Sequence, residues 1–301
     1  MTSDQSSSLN SFEQTTGQPV TYINPELTPT ENAKPGRHVH LQFGYGPMPV
    51  TTTGTSTANN KTIFFFDIDN CLYHKSTRIF EMMQVKIHDY FKHNLKLSDE
   101  EATHLHMDYY KTYGLALEGL VRNHQVDALD YNSQVDDALD LHAVLRYDKP
   151  LREVLLHIKN SGKFDYFWLV TNAYRNHALR VLSFLGIGDL FDGLTYCDYA
   201  RAPIVCKPMV GYFERVFELT RLSDTDLKRQ WFVDDSALNV RAAFDLGVGY
   251  VIHYVEDPAD LAQLKKKSDF EKYYGGGSGE EGRRIFILTD FQDLPHLVNR
   301  V

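Results

Sequence analysis

Three short apolar runs in this chain each end in residues that can do chemistry. Asp67 and Asp69 directly follow Thr62-Ile63-Phe64-Phe65-Phe66, and Thr171 and Asn172 follow Tyr166-Phe167-Trp168-Leu169-Val170. Asp234 and Asp235 follow Trp231-Phe232-Val233, and Lys207 lies between Cys206 and Pro208, where a short loop can aim its ammonium at the same edge. If those ends meet, four carboxylates, one hydroxyl and one lysine converge. Acids that close repel one another unless a cation sits among them, and hard oxygen ligands with open positions suit Mg²⁺. Taken singly, each signal is weak. An Asp after a strand is more often a turn former or helix cap, and Asp234-Asp235 alone reads equally as a cap for the helix through Asn239 and Val240. The joint, ordered set has no comparable structural explanation.

Such residues must be held by rigid elements. The three runs, with Tyr250-Val251-Ile252-His253-Tyr254 and Ile285-Phe286-Ile287-Leu288, are continuously apolar rather than alternating. That is the pattern of strands buried on both faces of a parallel sheet. Helical spacing lies between them, at Leu151, Val154, Leu155 and Ile158, and at Ala178, Val181, Leu182 and Leu185 before Gly186. Alternating strands and helices predict an α/β chain with a doubly wound, Rossmann-like parallel sheet and right-handed crossovers. In such sheets ligands bind beyond the carboxyl ends of the strands. Residues 76–145 break the alternation. Ile79, Met82, Met83, Lys86 and Ile87, then a segment from Tyr109 to Leu120, predict a helical cap inserted after the first strand, with the Met pair as core filler.

The chain therefore divides into an α/β core, residues 61–75 and 146–301, and a helical cap, residues 76–145. Residues 1–60 are rich in Pro, Thr and Ser and predict a disordered or loosely docked tail, with Val39 to Tyr45 as the patch that would dock. Asn60-Lys61-Thr62 matches a glycosylation sequon and reads as chance without a secretory signal. Gly275 to Gly282 lacks the strand before and helix after that a phosphate-cradling loop requires, so it reads as a flexible loop. Forty acidic against 31 basic residues leave a charge of −9. That balance argues against a protein built to coat nucleic acid or an anionic membrane and leaves small anions open. Three cysteines, Cys71, Cys197 and Cys206, make neither a disulfide framework nor a zinc site. No apolar run approaches the roughly 20 residues of a membrane helix. The expected compartment is the cytoplasm, with the nucleus as the alternative. The oligomeric state is not legible.

The ordered set Asp67-Ile68-Asp69-Asn70-Cys71, Thr171-Asn172, Lys207-Pro208 and Asp234-Asp235 resembles the four motifs of the haloacid dehalogenase-like superfamily. More narrowly, Phe64 to Asn70, Tyr109 to Leu115, Thr171 to Ala178 and Leu190 to Cys197 resemble fungal pyrimidine 5′-nucleotidases. The resemblance spans about residues 61 to 258. One departure is Cys71, where the superfamily pattern usually has Thr or Val; a small buried side chain there implies no catalytic thiol.

The resemblance implies a haloacid dehalogenase-like core and a set of roles. Asp67 would attack phosphorus and become an aspartyl-phosphate, and Asp69 would serve as general acid and then general base. Thr171 and Lys207 would bind and neutralise the transferring phosphoryl group, with Asn172 beside them. A carboxylate oxygen of Asp67, the backbone carbonyl of Asp69, and Asp235 would hold Mg²⁺, with Asp234 either supporting them or binding through water. The substrate implied is a small phosphate ester, a nucleoside 5′-monophosphate with pyrimidines favoured. By side-chain type rather than by resemblance, Tyr113, or its neighbours Tyr109 and Tyr110, could stack on a base, although helix-face Tyr residues are more often core or surface, and Arg122 and His124 could reach a ribose or a carboxylate. Sugar phosphates and lysophospholipids are the alternatives. A dehalogenase, or a binding protein that kept the fold, is less consistent with the presence of Asp67, Asp69, Lys207 and the acid pair.

Overall fold

The apolar runs form the strands of one sheet in the computed structural model, which describes residues 61–275 and 283–301. The expected tail, its Val39 to Tyr45 patch, Asn60 of the sequon and the Gly-rich stretch from Gly276 to Gly282 lie outside the described residues. The strands are β1 (Ile63–Phe66), β2 (Tyr166–Val170), β3 (Gly193–Thr195), β4 (Trp231–Asp234), β5 (Tyr250–Tyr254) and β6 (Ile285–Leu288). All neighbours pair in parallel, in the order β3-β2-β1-β4-β5-β6.

Side chains of β1 alternate between two apolar layers, as strand geometry requires. Phe64 and Phe66 pack with Leu155 of α6 (Lys149–Lys159) and Leu182 of α7 (Arg175–Leu185). Ile63 and Phe65 pack on the opposite face with Tyr212 of α8 (Val210–Leu219) and Val240 of α9 (Ala237–Asp245). With both faces covered, each buried Phe contributes about 1.5–3 kcal/mol, and the run has no reason to alternate with polar residues. The helices α10 (Pro258–Leu264), α11 (Phe270–Tyr274) and α12 (Leu294–Arg300) complete the layers. This is the expected doubly wound α/β architecture.

The strand β3 was not among the expected runs. It is three residues long and begins at Gly193, where a Cβ would lie 2.2 Å from the Trp168 ring. A glycine is demanded there by the close approach of a large neighbour, and it erases the apolar signal.

After β1 the chain enters the helical insertion: α1 (Ile79–Leu95), α2 (Asp99–Tyr113), α3 (Ala116–Asn123), α4 (Ala128–Gln134) and α5 (Leu141–Val144). A capping box between Ser98 and Glu101 starts α2. The segment expected to run from Tyr109 to Leu120 is broken in two at Gly114, whose φ of +81° is the left-handed conformation glycine accepts most readily. Ile87, Phe91, Leu117, Leu120 and Tyr131 form the insertion's own apolar centre, which also takes in Cys197, Tyr199, Ile204 and Cys206 of the core. Met82 packs as filler against the sheet-side layer, whereas Met83 also lines the cavity described below. No helix of the described residues is long and apolar enough to cross a membrane.

Candidate active site

From β1 at the centre of the sheet, β2 lies to one side and β4 to the other, so a crevice opens beyond their carboxyl ends. Asp67 is the first residue past β1; its N–H donates to the Val233 carbonyl at 2.9 Å, which sets it beside Asp234. Thr171 is the first residue past β2. Lys207 arrives from a loop and is 1% exposed. Its ammonium donates to Asp67 Oδ1 at 2.6 Å, Asp234 Oδ2 at 2.7 Å and the Val170 carbonyl at 2.9 Å. All three of its protons are used.

Two ion pairs at this range, each on the order of 5 kcal/mol at an effective dielectric near 20, outweigh the loss of hydration that would otherwise neutralise a buried lysine. Although burial alone lowers it, the Lys207 pKa is raised by Asp234 and Asp67. The carboxylates show the reverse balance. Burial, then Asp234, pushes the Asp67 carboxyl well above its ordinary range despite Lys207. The same causes push Asp235 up to about 7.

Ligand atoms of Asp67, Asp234 and Asp235 all lie within 4.8 Å of one another. With all three ionised, three carboxylates against one ammonium leave two negative charges uncompensated in a buried place, which is why Asp67 and Asp235 hold their protons so strongly without a cation. The Asp234 oxygens are committed: they accept from Lys207, from the Asn239 side chain at 3.0 and 3.1 Å, and from the Ser236 N–H at 2.8 Å. Asp235 has no such donor among the described residues, and its carboxylate lines the cavity. Hard oxygen donors, a deficit of two charges and an unclaimed carboxylate fit a divalent cation of the Mg²⁺ type.

Asp69 also reaches the cavity. Its Oδ1 accepts from the Tyr73 hydroxyl at 2.8 Å and from His177 Nε2–H at 2.7 Å. Although burial raises it, its pKa is lowered by His177 and Tyr73. Thr171 Oγ1 accepts from the Ala173 N–H at 3.0 Å, which leaves its own proton for another acceptor. Asn172 lines the cavity, but both ends of its amide bind the Lys207 backbone, so it is a bracket for the lysine loop. Cys71 is 2% exposed and its thiol is pushed well up by burial, so it is no nucleophile.

These groups floor a cavity of about 540 Å³ that the insertion roofs with Phe80, Met83, Ile87, His106, Tyr110 and Tyr131, among others. Tyr113 does not line it. Its ring lies under the Arg122 guanidinium at 5.4 Å and edge-on to Tyr109 at 6.0 Å. Tyr109 in turn packs where Gly119 leaves room and bonds His124 at 2.9 Å. The reason is helical: residues four apart share a face, so Tyr109 and Tyr113 face α3 while His106 and Tyr110 face the cavity. Arg122 pairs with Glu118 and is likewise spent outside the cavity.

Several residues at the site escaped sequence reasoning as individuals. His177, Tyr73 and Asn239 hold the acids from behind. Asp136, from the loop after α4, is a buried carboxyl lining the cavity and pushed up to about 6 by burial. His177 falls inside the Thr171 to Ala178 segment quoted above; no local signal marks the others.

Comparison with known proteins agrees with this geometry. Residues 61–247 match the sequence model of the haloacid dehalogenase-like hydrolases. Phosphate metabolism protein 8 of Saccharomyces cerevisiae (strain ATCC 204508 / S288c) is 47% identical over 246 residues, which is 79% of this chain and 73% of the yeast protein. A predicted phosphatase from Clostridium acetobutylicum has a similar structure, with a TM-score of 0.52 at 12% identity over 80% of this chain and 99% of its own. L-2-haloacid dehalogenase from Xanthobacter autotrophicus gives 0.44 at 15% identity, over 80% of this chain and 99% of its own. At such identities a structural likeness speaks to the fold alone.

Proposed function

This chain belongs to the haloacid dehalogenase-like hydrolases, and we propose that within that family it is a Mg²⁺-dependent phosphomonoesterase acting on nucleoside 5′-monophosphates, pyrimidine nucleotides favoured. The observation that carries the phosphatase reading is the Lys207 ammonium, bonded to both Asp67 and Asp234 at the floor of a cavity that Asp69, Thr171 and Asp235 also line.

Asp67, the Asp69 carbonyl and Asp235 would hold the ion, which lets an anionic carboxylate meet an anionic phosphate. Asp234 supports them from behind, in keeping with its committed oxygens. An Asp67 oxygen forms the bond to phosphorus as the ester P–O bond breaks, and Asp69, which must first take up a proton against the pull of His177 and Tyr73, gives that proton to the departing alkoxide. Water then loses a proton to Asp69 and attacks the aspartyl-phosphate, releasing phosphate and restoring Asp67. Lys207 neutralises Asp67 and the phosphoryl oxygens, and Thr171 donates its free proton to one of those oxygens. The insertion covers the reacting group and excludes water.

For the leaving group, support comes from the resemblance to pyrimidine 5′-nucleotidases and from the aromatic roof of Tyr110, Tyr131 and Phe80, against which a base can stack. A second reading, a lysophospholipid headgroup phosphate, is favoured by one observation: the cavity residues Phe80 and Leu238 are 45% and 48% exposed, an apolar mouth that would suit an acyl chain. Phosphate release across about a hundred phosphomonoesters separates them. Nucleotides at the top support the first reading; a lysophospholipid or sugar phosphate at the top overturns it and leaves the phosphatase intact. Asp67→Asn is expected to fall to background. Asp69→Asn, mixed briefly with an activated phosphate and Mg²⁺, is expected to carry a phosphate adduct on Asp67 by intact mass. An adduct elsewhere, or full turnover by Asp67→Asn, removes the mechanism.

A further inference from the structure

The Asp69 carboxylate is gripped by one oxygen. Tyr73, from the turn after β1, and His177, from the first turn of α7, both donate to Oδ1, at 2.8 and 2.7 Å. Among the described residues no donor reaches Oδ2. The Asp69 side chain is 27% exposed and lines the cavity, whereas His177 is fully buried. Two donors converging on one oxygen fix the plane of a carboxylate and leave the other oxygen facing the open side.

His177 spends its polarity on this contact. Its Nδ1 is buried with no hydrogen-bond partner, and the Asp136 carboxyl and Arg180 act on the ring only through space. A buried imidazole that did nothing but fill space would be replaced at no loss by an apolar ring, since unpaired polar atoms cost free energy. The geometry points to His177 and Tyr73 as a pair of positioning residues that present Asp69 Oδ2 to the leaving-group oxygen. This inference rests on Asp69 being the general acid, as proposed above.

A residue that acts by aiming the acid matters in proportion to how much the leaving group needs a proton. The test is single-turnover release of the leaving group, with saturating Mg²⁺, from a nucleoside 5′-monophosphate and from p-nitrophenyl phosphate. In His177→Ala the nucleotide rate is expected to fall at least about tenfold further than the p-nitrophenyl rate, with KM within about threefold of wild type. His177→Gln keeps an N–H near the place of Nε2 and is expected to restore most of the difference. Tyr73→Phe, which keeps the ring, is expected to show the same bias at about three- to tenfold, and it carries the test if His177→Ala fails to fold. Equal losses on both esters, or no recovery with Gln, would show that these side chains only support the fold, and would overturn the inference. If the wild-type protein hydrolyses neither ester, the phosphatase reading itself falls, a result distinct from an unbiased variant of an active enzyme.

Discussion

Asn172 brackets the backbone of Lys207. Its Nδ2 donates to the Lys207 carbonyl at 2.8 Å, and its Oδ1 accepts the Lys207 N–H at 2.7 Å. A primary amide matches a peptide unit in both polarity and span, so one side chain past β2 fixes the loop that delivers the ammonium. The lysine then needs no freedom of its own to reach Asp67, Asp234 and the Val170 carbonyl.

Asn172→Ala removes two half-buried hydrogen bonds and should cost about 1–2 kcal/mol in denaturant unfolding. Its larger effect should be on turnover. With the loop unbracketed, kcat is expected to fall on the order of tenfold to a hundredfold, while KM changes less. A stability loss with unchanged kcat would mean that the loop holds its place without the amide.

Mg²⁺ should stabilise the protein more in mild alkali than in mild acid. Burial and Asp234 push Asp235 up to about 7, above its unfolded value near 4. Between those values the folded state holds more protons than the unfolded one, so this group's contribution to stability falls as pH rises through the window. The same protons compete with the cation. The rise in Tm on adding Mg²⁺ should therefore be larger at pH 8 than at pH 5.5, growing with concentration as binding linkage requires. Equal rises at both pH values would show that Asp235 takes no part.

Tyr110 and Tyr113 should separate specificity from packing. Tyr110 lines the cavity and Tyr113 does not. Tyr110→Ala is expected to lower kcat/KM for a nucleotide about tenfold more than for an aryl phosphate, the order of one lost stacking contact. Tyr113→Ala should lower both alike and reduce thermal stability. The reverse pattern would place the base against the α3 side.

Gly114→Ala should disturb the site from the insertion. The φ of Gly114 is +81°, and a Cβ there would lie 2.8 Å from Pro208 Cδ and 2.9 Å from the Lys207 carbonyl. Left-handed strain costs about 1–2 kcal/mol, and the clash falls on the lysine loop. Lower Tm together with lower kcat is expected. A fall in Tm alone would mean that the insertion yields while Lys207 stays in place.

The strands and the acids beyond them were legible because their causes are local. A strand covered on both faces is apolar along its run, and the first polar residue marks the place where the strand ends. Hence β1, β2 and β4 and the positions of Asp67, Thr171 and Asp234 could be read along the chain. The insertion was legible for the same reason, since amphipathic spacing is a property of neighbours. Its break at Gly114 and the strand β3 were not, because both depend on what lies opposite: a left-handed turn packed on Pro208, and a glycine yielding to Trp168. Nor does a helix state which of two faces meets the cavity and which meets another helix, and that alone separates Tyr110 from Tyr113. His177 meets Asp69 across 108 residues, and Asn172 meets Lys207 across 35. Contacts at such separations exist only once the sheet order and the helix packing have closed the distance, so the residues that aim the chemistry belong to the tertiary structure, as the residues that perform it belong to the strand ends.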